Sequence, residues 1–339
     1  MECTEGVEVT QMDQPSDPEA RERGSGEEST KELDSLRRKL RARRQRRSRP
    51  LGPPTPDAGP GNAGPSIVYQ RSLPRTGIPA SRYRPPSGCP LALAEAVSGR
   101  ELGAPSGPPY YRADGALASV HPKLAAYCSG KFGAVLAGGT DSNDLPLVQT
   151  LYDLCNGTMP ALSDLLVLDL ETTGLSSSPL FLIGMLVREG EGFVIRQFLA
   201  RTYAEERSII SAYAQAASGK SLFVTFNGKA FDIPYLRARA AAVGVSVPEP
   251  RAHLDLLHPA RKVYSRVLPD CRLQTLERYV CRRHRVGDIP GEHIPDAYHY
   301  FVRTGNAVEI ARIVQHNAHD LVTLLELLVR MLGAGASDE

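Results

Sequence analysis

The sequence predicts an α/β protein: a mixed β-sheet flanked by helices, following a long disordered N-terminal region. In a chain of 339 residues, short β-branched and aromatic runs alternate with amphipathic segments only from about residue 162 onward. The earlier part is rich in charge blocks and proline, which offer little apolar surface to bury. We therefore expect disorder over 1–110, a short helical lead-in packed on the core over 111–160, the folded domain over 161–333 and a tail over 334–339.

The folded domain is predicted to open with three strands. LLVLDL is a continuous apolar run, as expected of a strand that is buried on both faces. LFLIGMLVR and FVIRQFLAR, separated by the turn EGEG, predict an antiparallel hairpin beside it. A helix over AEERSIISAYAQAA and a further strand, SLFVTF, follow, so the predicted sheet is mixed.

The rest of the domain is predicted to be mostly helical. A helix is expected from about Phe231 to Ala242, with Gly244 as its stop. HLDLLHPARKVY and CRLQTLERYV are also expected to be mainly helical. A long amphipathic helix is predicted from about Ala307 to Leu332, where apolar residues recur at intervals of three and four.

The N-terminal region is divided by charge. Residues 1–30 contain nine acidic and two basic residues, whereas residues 31–50 contain ten basic and two acidic ones. The basic arm, residues 37–49, has two open interpretations: it contacts nucleic-acid phosphates, or it pairs with the acidic block before it. Residues 50–110 hold 14 of the 27 prolines, too many for a regular helix or sheet.

Composition excludes several classes of protein. Hydrophobic residues make up 42% of the chain, and no apolar run approaches the roughly 18 residues that a membrane span needs. The start, MECTEGVEVT, has no signal-peptide pattern. The six cysteines form no CxxC pair, which argues against a zinc finger or a disulfide framework. We expect reduced thiols, a cytoplasmic location and no membrane partner.

Two acids end the first predicted strand. Asp169 and Glu171 are two residues apart, so both side chains project from one face of the sheet. Carboxylates this close raise each other's pKa unless a cation neutralises them. An ordinary strand end with two solvated acids explains the pair equally well when it is taken alone.

Two further acids lie at helix starts or on helix faces. Asp232 follows a predicted strand in TFNGKAFDIPYL, where the helix dipole alone would favour an acid. Asp320 lies in the last helix, four residues after His316, so these two side chains share a face. A surface His–Asp pair has the same spacing.

The four acids together indicate a metal site. A strand end, a strand-to-helix corner and a late helix can converge at one end of a sheet. Oxygen-only ligands suit hard divalent cations such as Mg²⁺ or Mn²⁺. Two such ions about 4 Å apart assist phosphodiester cleavage, and a nearby histidine can accept the proton of the attacking water.

This constellation resembles the DEDD exonucleases of the ribonuclease H-like (DnaQ-like) superfamily. Their three motifs occur in order as LDLETTGL, TFNGKAFDIPYL and HNAHD. The sequence is most similar to the YprB-like branch, which also shows HLDLL, ARK, a CRLQTLE-type segment and DIPGEHIP between the second and third motifs. The resemblance covers about residues 162–332, and it implies a ribonuclease H-like mixed sheet.

The resemblance also implies residue roles. Asp169 would bridge two cations, Glu171 and Asp320 would complete the first site, and Asp232 would hold the second. His316 would be the general base, although the histidine of the DEDDh group lies one position earlier, where this chain has Gln315. His319 ranks second for that role. The candidate substrate-binding residues are Thr172, Asn227, Lys229, Phe231 and Asn317. An alternative role for Asn227 and Asn317 is to support the metal ligands.

The resulting hypothesis is a two-metal nuclease, a 3′–5′ exonuclease on single-stranded DNA or RNA. One alternative is a nucleic-acid-binding protein of the same fold that cuts slowly or not at all. Another is a phosphoesterase for small nucleotides, which has less need of a basic arm. Asp255 and Asp288 are assigned structural roles, as a cap or ion pair and as part of a turn.

Overall fold

The computed structural model describes residues 83–85, 88–133, 146–174 and 178–332. The expectations for residues 1–82, including the basic arm, and for the tail at 334–339 lie outside the described residues. The described part forms one seven-stranded mixed sheet with the order β1-β2-β5-β4-β3-β6-β7. The strands are β1 Arg100–Leu102, β2 Tyr110–Ala116, β3 Leu165–Thr172, β4 Leu180–Glu189, β5 Gly192–Leu199, β6 Leu222–Thr225 and β7 Ala252–Asp255.

Ten α-helices lie among the described residues, in order along the chain. They are α1 Leu93–Ala96, α2 Leu117–Val120, α3 Pro122–Tyr127, α4 Pro146–Leu154, α5 Glu206–Ala216, α6 Asp232–Ala242, α7 Leu257–Tyr264, α8 Leu273–Tyr279, α9 Ile294–Thr304 and α10 Val308–Met331. Two apolar clusters form the core, and both draw residues from β3, β4 and α10. Burial on both faces explains why β3 and β4 are continuous apolar runs.

The predicted strand pairing is confirmed in the central sheet. β3 pairs antiparallel with β4, and β4 with β5, while β6 lies parallel to β3. The turn between β4 and β5 has two residues and begins at Gly190, whose φ of 56° suits the tight turn of a hairpin. The sequence therefore predicted the centre of the fold correctly.

The secondary structure differs from expectation in two regions. Residues 253–255, expected to be helical, belong to β7, which pairs parallel with β6. Residues 88–110, expected to be disordered, contain α1 and β1, and the start of the lead-in, expected to be helical, is the strand β2, which pairs with β5. Three prolines of this region, at 105, 108 and 109, lie between β1 and β2, where no ladder hydrogen bonds are lost.

No helix among the described residues is long and apolar enough to cross a membrane. The described cysteines are free thiols: Cys89, Cys128, Cys155, Cys271 and Cys281. Burial raises the pKa of the Cys128 and Cys281 thiols to about 12, which keeps them protonated. The cytoplasmic location stays a prediction.

Candidate functional site

A row of three residues across the central sheet builds the floor of the site. Asp169 on β3 lies opposite Gly184 on β4, which lies opposite Gln197 on β5. Directly opposed residues project from the same face of a sheet. Because Gly184 has no Cβ, helix α10 can bring Asn317 directly over it. A Cβ at position 184 would lie 2.0 Å from the Asn317 Oδ1 atom.

Asn317 holds the carboxylate of Asp169 in place. Its Nδ2 atom donates to Asp169 Oδ2 at 2.7 Å, and its Oδ1 atom accepts from Gln197 Nε2 at 2.8 Å. The side chain is fully buried. Asn317 was predicted either to support the metal ligands or to contact substrate. Burial and these two bonds occupy its amide, so Asn317 positions Asp169.

The four predicted acids influence one another electrostatically. Burial raises the pKa of Asp169 well above its ordinary value, and the charges of Asp320, Glu171 and Asp232 raise it further. Burial raises the pKa of Glu171 to about 8; the charge of His316 opposes this rise, while Asp320 and Asp232 add to it. The structure therefore brings together carboxyl groups from β3, α6 and α10 that repel each other when ionised.

Asp232 is positioned by a tightly built turn after β6. The carboxylate of Asp255, at the end of β7, accepts hydrogen bonds from the backbone N–H groups of Asn227 and Lys229 at 2.7 and 3.1 Å. A Cβ at Gly228 would lie 2.3 Å from Thr225 Oγ1, so only glycine fits there. Asp255 thus has the structural role expected of it, as a cap.

Helix α6 then begins at Asp232 itself. Burial raises the pKa of Asp232 to about 7; backbone N–H bonds oppose the rise, and the charges of Asp255 and Asp320 support it. The Asp232 carboxyl group is thus fixed at the start of α6, and the charge of Asp320 on α10 raises its pKa.

The other predicted substrate residues lie around this turn. Asn227, with a φ of 65°, and Lys229 are exposed, and Phe231 is half-buried with its ring 5.4 Å from that of Tyr235. Thr172 donates its hydroxyl to the carbonyl of Gly174 at 2.8 Å. Their contact with a substrate stays a prediction.

His316 is buried and held between two acids. Its Nδ1 atom lies 2.8 Å from Asp288 Oδ1, and its Nε2 atom lies 3.4 Å from Asp320 Oδ2. Burial lowers the pKa of His316, but the bond to Asp288 and the charges of Asp320 and Glu171 outweigh burial and raise it. By contrast, burial and the charge of Arg285 lower the pKa of His319. Gln315, at the position of the DEDDh histidine, is exposed.

Asp288 has the expected role in a turn and also contacts His316. The same Oδ1 atom that contacts His316 accepts the N–H of Ile289 at 3.0 Å, so the turn and the histidine share one carboxylate. The sequence identified the segment DIPGEHIP as part of the family resemblance, but only the fold shows that its Asp288 contacts His316.

Sequence reasoning missed Arg285. Its guanidinium contacts Asp320 Oδ1 at 2.5 Å, Asp288 Oδ2 at 3.3 Å and the buried Glu277 at 2.5 Å. The side chain is 7% exposed. No spacing rule would have selected it, because it is one of eight Lys or Arg residues within 257–287.

The donor set fits a hard divalent cation in its chemistry. Four carboxylates supply only oxygen. The pKa values of Asp169, Glu171 and Asp232 are raised although Arg285 and His316 lie beside Asp320. Within the described ranges, no three His, Cys, Asp or Glu side chains are arranged around a single ion position. Asp320 is bonded to Arg285, so binding an ion requires Asp320 to share or release that contact.

Comparison with known proteins places this geometry in a family. A model of the RNase_H superfamily matches residues 166–332, which span β3 to the end of α10 and include all four acids. The chain therefore contains a ribonuclease H-like domain, as the sequence motifs indicated.

The domain is YprB-like. The chain is 29% identical over 174 residues to "Uncharacterized protein YprB" of Bacillus subtilis (strain 168), covering 50% of this chain and 42% of that protein. The chain thus spans less than half the length of this relative. Among solved structures, it is similar to the family B DNA polymerase of Pyrobaculum calidifontis, with 20% identity, a TM-score of 0.43, and coverage of 52% of this chain and 25% of that one.

Proposed function

We propose that this protein is a divalent-metal-dependent nuclease that removes nucleotides from the 3′ end of single-stranded DNA or RNA. The observation that carries the proposal is the electrostatic interaction among Asp169, Glu171, Asp232 and Asp320, which together with burial raises the pKa of the first three. The 3′ polarity rests on the resemblance to DEDD exonucleases.

Asp169, Glu171, Asp232 and Asp320 would hold one or two ions, Mg²⁺ or Mn²⁺. When bound, these ions supply the positive charge that stabilises charge developing on a phosphodiester during its hydrolysis. Asn317 keeps Asp169 in a fixed orientation through its 2.7 Å bond. Asp169 is therefore oriented before substrate binds, which reduces the reorganisation needed during the reaction.

His316 would accept the proton of the attacking water at Nε2. Its Nδ1 atom is engaged by Asp288, which orients the ring and stabilises the charge that it gains. The exposed Lys229 and the half-buried Phe231 lie at the turn before Asp232, where a phosphate and a base of the substrate would contact them.

One observation favours the alternative of a binding protein that cuts slowly or not at all. Arg285 already neutralises Asp320 through a short contact, and the described acids are not grouped around an ion. Such a protein would bind oligonucleotides, yet calorimetry would detect no Mn²⁺ binding and no cleavage would follow.

The decisive experiment offers labelled single-stranded DNA and RNA to the full chain with Mg²⁺ or Mn²⁺. We expect a 5′-labelled strand to be shortened progressively from its 3′ end, and a block at the 3′ terminus to abolish this shortening. Asp169→Asn should slow cleavage by at least about 10²-fold, since it removes a central carboxylate of the site. Cleavage that survives Asp169→Asn contradicts the proposed site.

Deleting residues 31–50 distinguishes the proposed nuclease from a phosphoesterase for small nucleotides. The deletion should weaken the salt-dependent binding of long substrates if the arm contacts phosphates. Equal activity of the intact chain on long and short substrates would favour the phosphoesterase.

A further inference from the structure

The segment between β7 and Asp288 is unusually basic. Residues 257–287 contain eight Lys or Arg and two acids, a net charge of +6 in a chain whose total is +2. Arg283 and Arg285 point inward, where they contact Glu326 and Asp320. The other six are exposed: Arg261, Lys262, Arg266, Arg272, Arg278 and Arg282.

Both ends of this segment adjoin the candidate site. At its start, Asp255 holds the N–H groups of Asn227 and Lys229 and also accepts the N–H of Leu257, the first residue of α7. At its end, Arg285 contacts Asp320 and Asp288. The segment that contains α7 and α8 is therefore tied to the site at both of its ends.

Arg261, Lys262 and Arg278 lie on the outward faces of α7 and α8, and the other three exposed cations lie in the loops beside these helices. On α7, Arg261 and Lys262 are exposed, whereas Leu257 and Ala260 are buried in the core. On α8, Leu276 is buried and Arg278 is exposed. Beside it, Tyr279 is 44% exposed, and the Arg278 guanidinium lies 5.6 Å from the centre of its ring.

We infer that this face, which we call the α7–α8 basic surface, binds the single strand that enters the site. The inference rests on the proposed nuclease function and names the surface that the strand follows. Exposed cations attract phosphates, and an exposed aromatic ring offers a platform for a base. Ion pairs with Glu326, Asp320 and Asp270 account for Arg283, Arg285 and Arg272, and the exposed Arg261, Lys262, Arg266 and Arg278 add positive charge that a phosphate in solvent can reach.

The test measures binding without cleavage. Labelled single-stranded oligodeoxythymidylate and oligouridylate are titrated with the full chain in EDTA, over a range of salt concentrations. The surface variant carries Lys262→Gln, Arg266→Gln and Arg278→Gln, and the matched control carries Arg100→Gln, Lys123→Gln and Arg303→Gln. All six positions are exposed, so both variants are expected to unfold at the temperature of the wild type.

We expect the surface variant to bind about 100-fold more weakly at 0.1 M salt, with the salt slope reduced by about 2, because each phosphate contact on a single strand contributes about 0.7. Tyr279→Ala should weaken binding about tenfold with the slope unchanged, since stacking releases no counterions. The control variant should bind like the wild type.

Three outcomes overturn the inference. Equal losses in both triple variants would mean that only net charge matters. An unchanged slope in the surface variant would place the strand elsewhere. Polyglutamate that competes as strongly as the oligonucleotide would assign the surface to an acidic protein partner.

Failure of the proposed function gives a different result. A wild-type protein that binds the oligonucleotide in EDTA through this surface, but does not cut it with Mn²⁺, contradicts hydrolysis and leaves the surface standing.

Discussion

Two of the three acids on helix α10, Glu326 and Asp320, lie in groups of charged residues that differ in their electrostatic setting. Glu326 is 5% exposed and is paired with Arg283 at 2.9 Å, Arg330 at 3.0 Å and His121 at 3.5 Å. Burial raises its pKa, but these partners outweigh burial and lower it. We call this group the paired cluster.

Asp320 contacts Arg285 and lies near the other three acids of the site, Asp169, Glu171 and Asp232, which we call the open cluster. In the open cluster, burial and the repulsion between neighbouring carboxylates raise the pKa of all three groups. Acids whose pKa is raised in this way lower the stability of the fold when they are ionised. The contrast indicates that the paired cluster stabilises the fold, whereas the open cluster is retained for the charge that it can bind.

The largest effect on stability is expected in the paired cluster. Glu326→Gln leaves Arg283 and Arg330 without their shared counter-charge and should lower the free energy of unfolding by about 3 kcal/mol at pH 7. Because the pKa of Glu326 is lowered in the folded state, this loss should disappear as the pH falls below about 4. Urea unfolding measures both effects. Glu292→Gln, at an exposed acid, serves as the control and should change little.

The second-largest loss of stability is expected at Gly184, on the floor of the site. Gly184→Ala places a methyl group against Asn317 and should cost about 2 kcal/mol, with slower cleavage because Asp169 loses its fixed orientation. Gly115→Ala on β2 is the matched control, since nothing lies within 4 Å of a Cβ there. Equal stability of the two variants would show that α10 does not approach β4 as described.

In the open cluster, a substitution should raise the free energy of unfolding rather than lower it. Glu171→Gln removes a buried charge and should stabilise the metal-free protein by about 1 kcal/mol at pH 8, while it abolishes cleavage. Denaturant unfolding in EDTA measures the gain. A loss of stability comparable with that of Glu326→Gln would mean that Glu171 has a counter-charge and that the cluster is not open.

The smallest effect is the pH dependence of the metal-free protein. Glu171 and Asp232, with pKa values of about 8 and 7 in the folded state, hold protons that the unfolded chain releases near pH 4. Stability should therefore fall as the pH rises from about 5 to 8, which lowers Tm by a few degrees. Added Mn²⁺ should reverse the trend, since it binds the deprotonated ligands. A flat Tm profile in EDTA would contradict the raised pKa values.

Much of this architecture was predictable from local patterns. The strands β3 to β6 follow from apolar runs and turns, and helices α6 and α10 follow from helical periodicity and stop signals. β7 was missed because four residues, AHLD, are too short to show a period, and only pairing with β6 makes them a strand. β1 and β2 were missed because neighbouring prolines dominate the composition.

For the site, the sequence by itself determined which carboxylates are available: the motifs select Asp169, Glu171, Asp232 and Asp320, because strand and helix periods fix the direction of each side chain. Only the tertiary structure decided what surrounds them. Asn317 lies over Gly184 because of the β3–β4–β5 register, Asp288 reaches His316, and Arg285 was selected from eight nearby cations. These contacts join residues up to 148 positions apart, and the electrostatic setting of an acid depends on which distant groups packing brings near it.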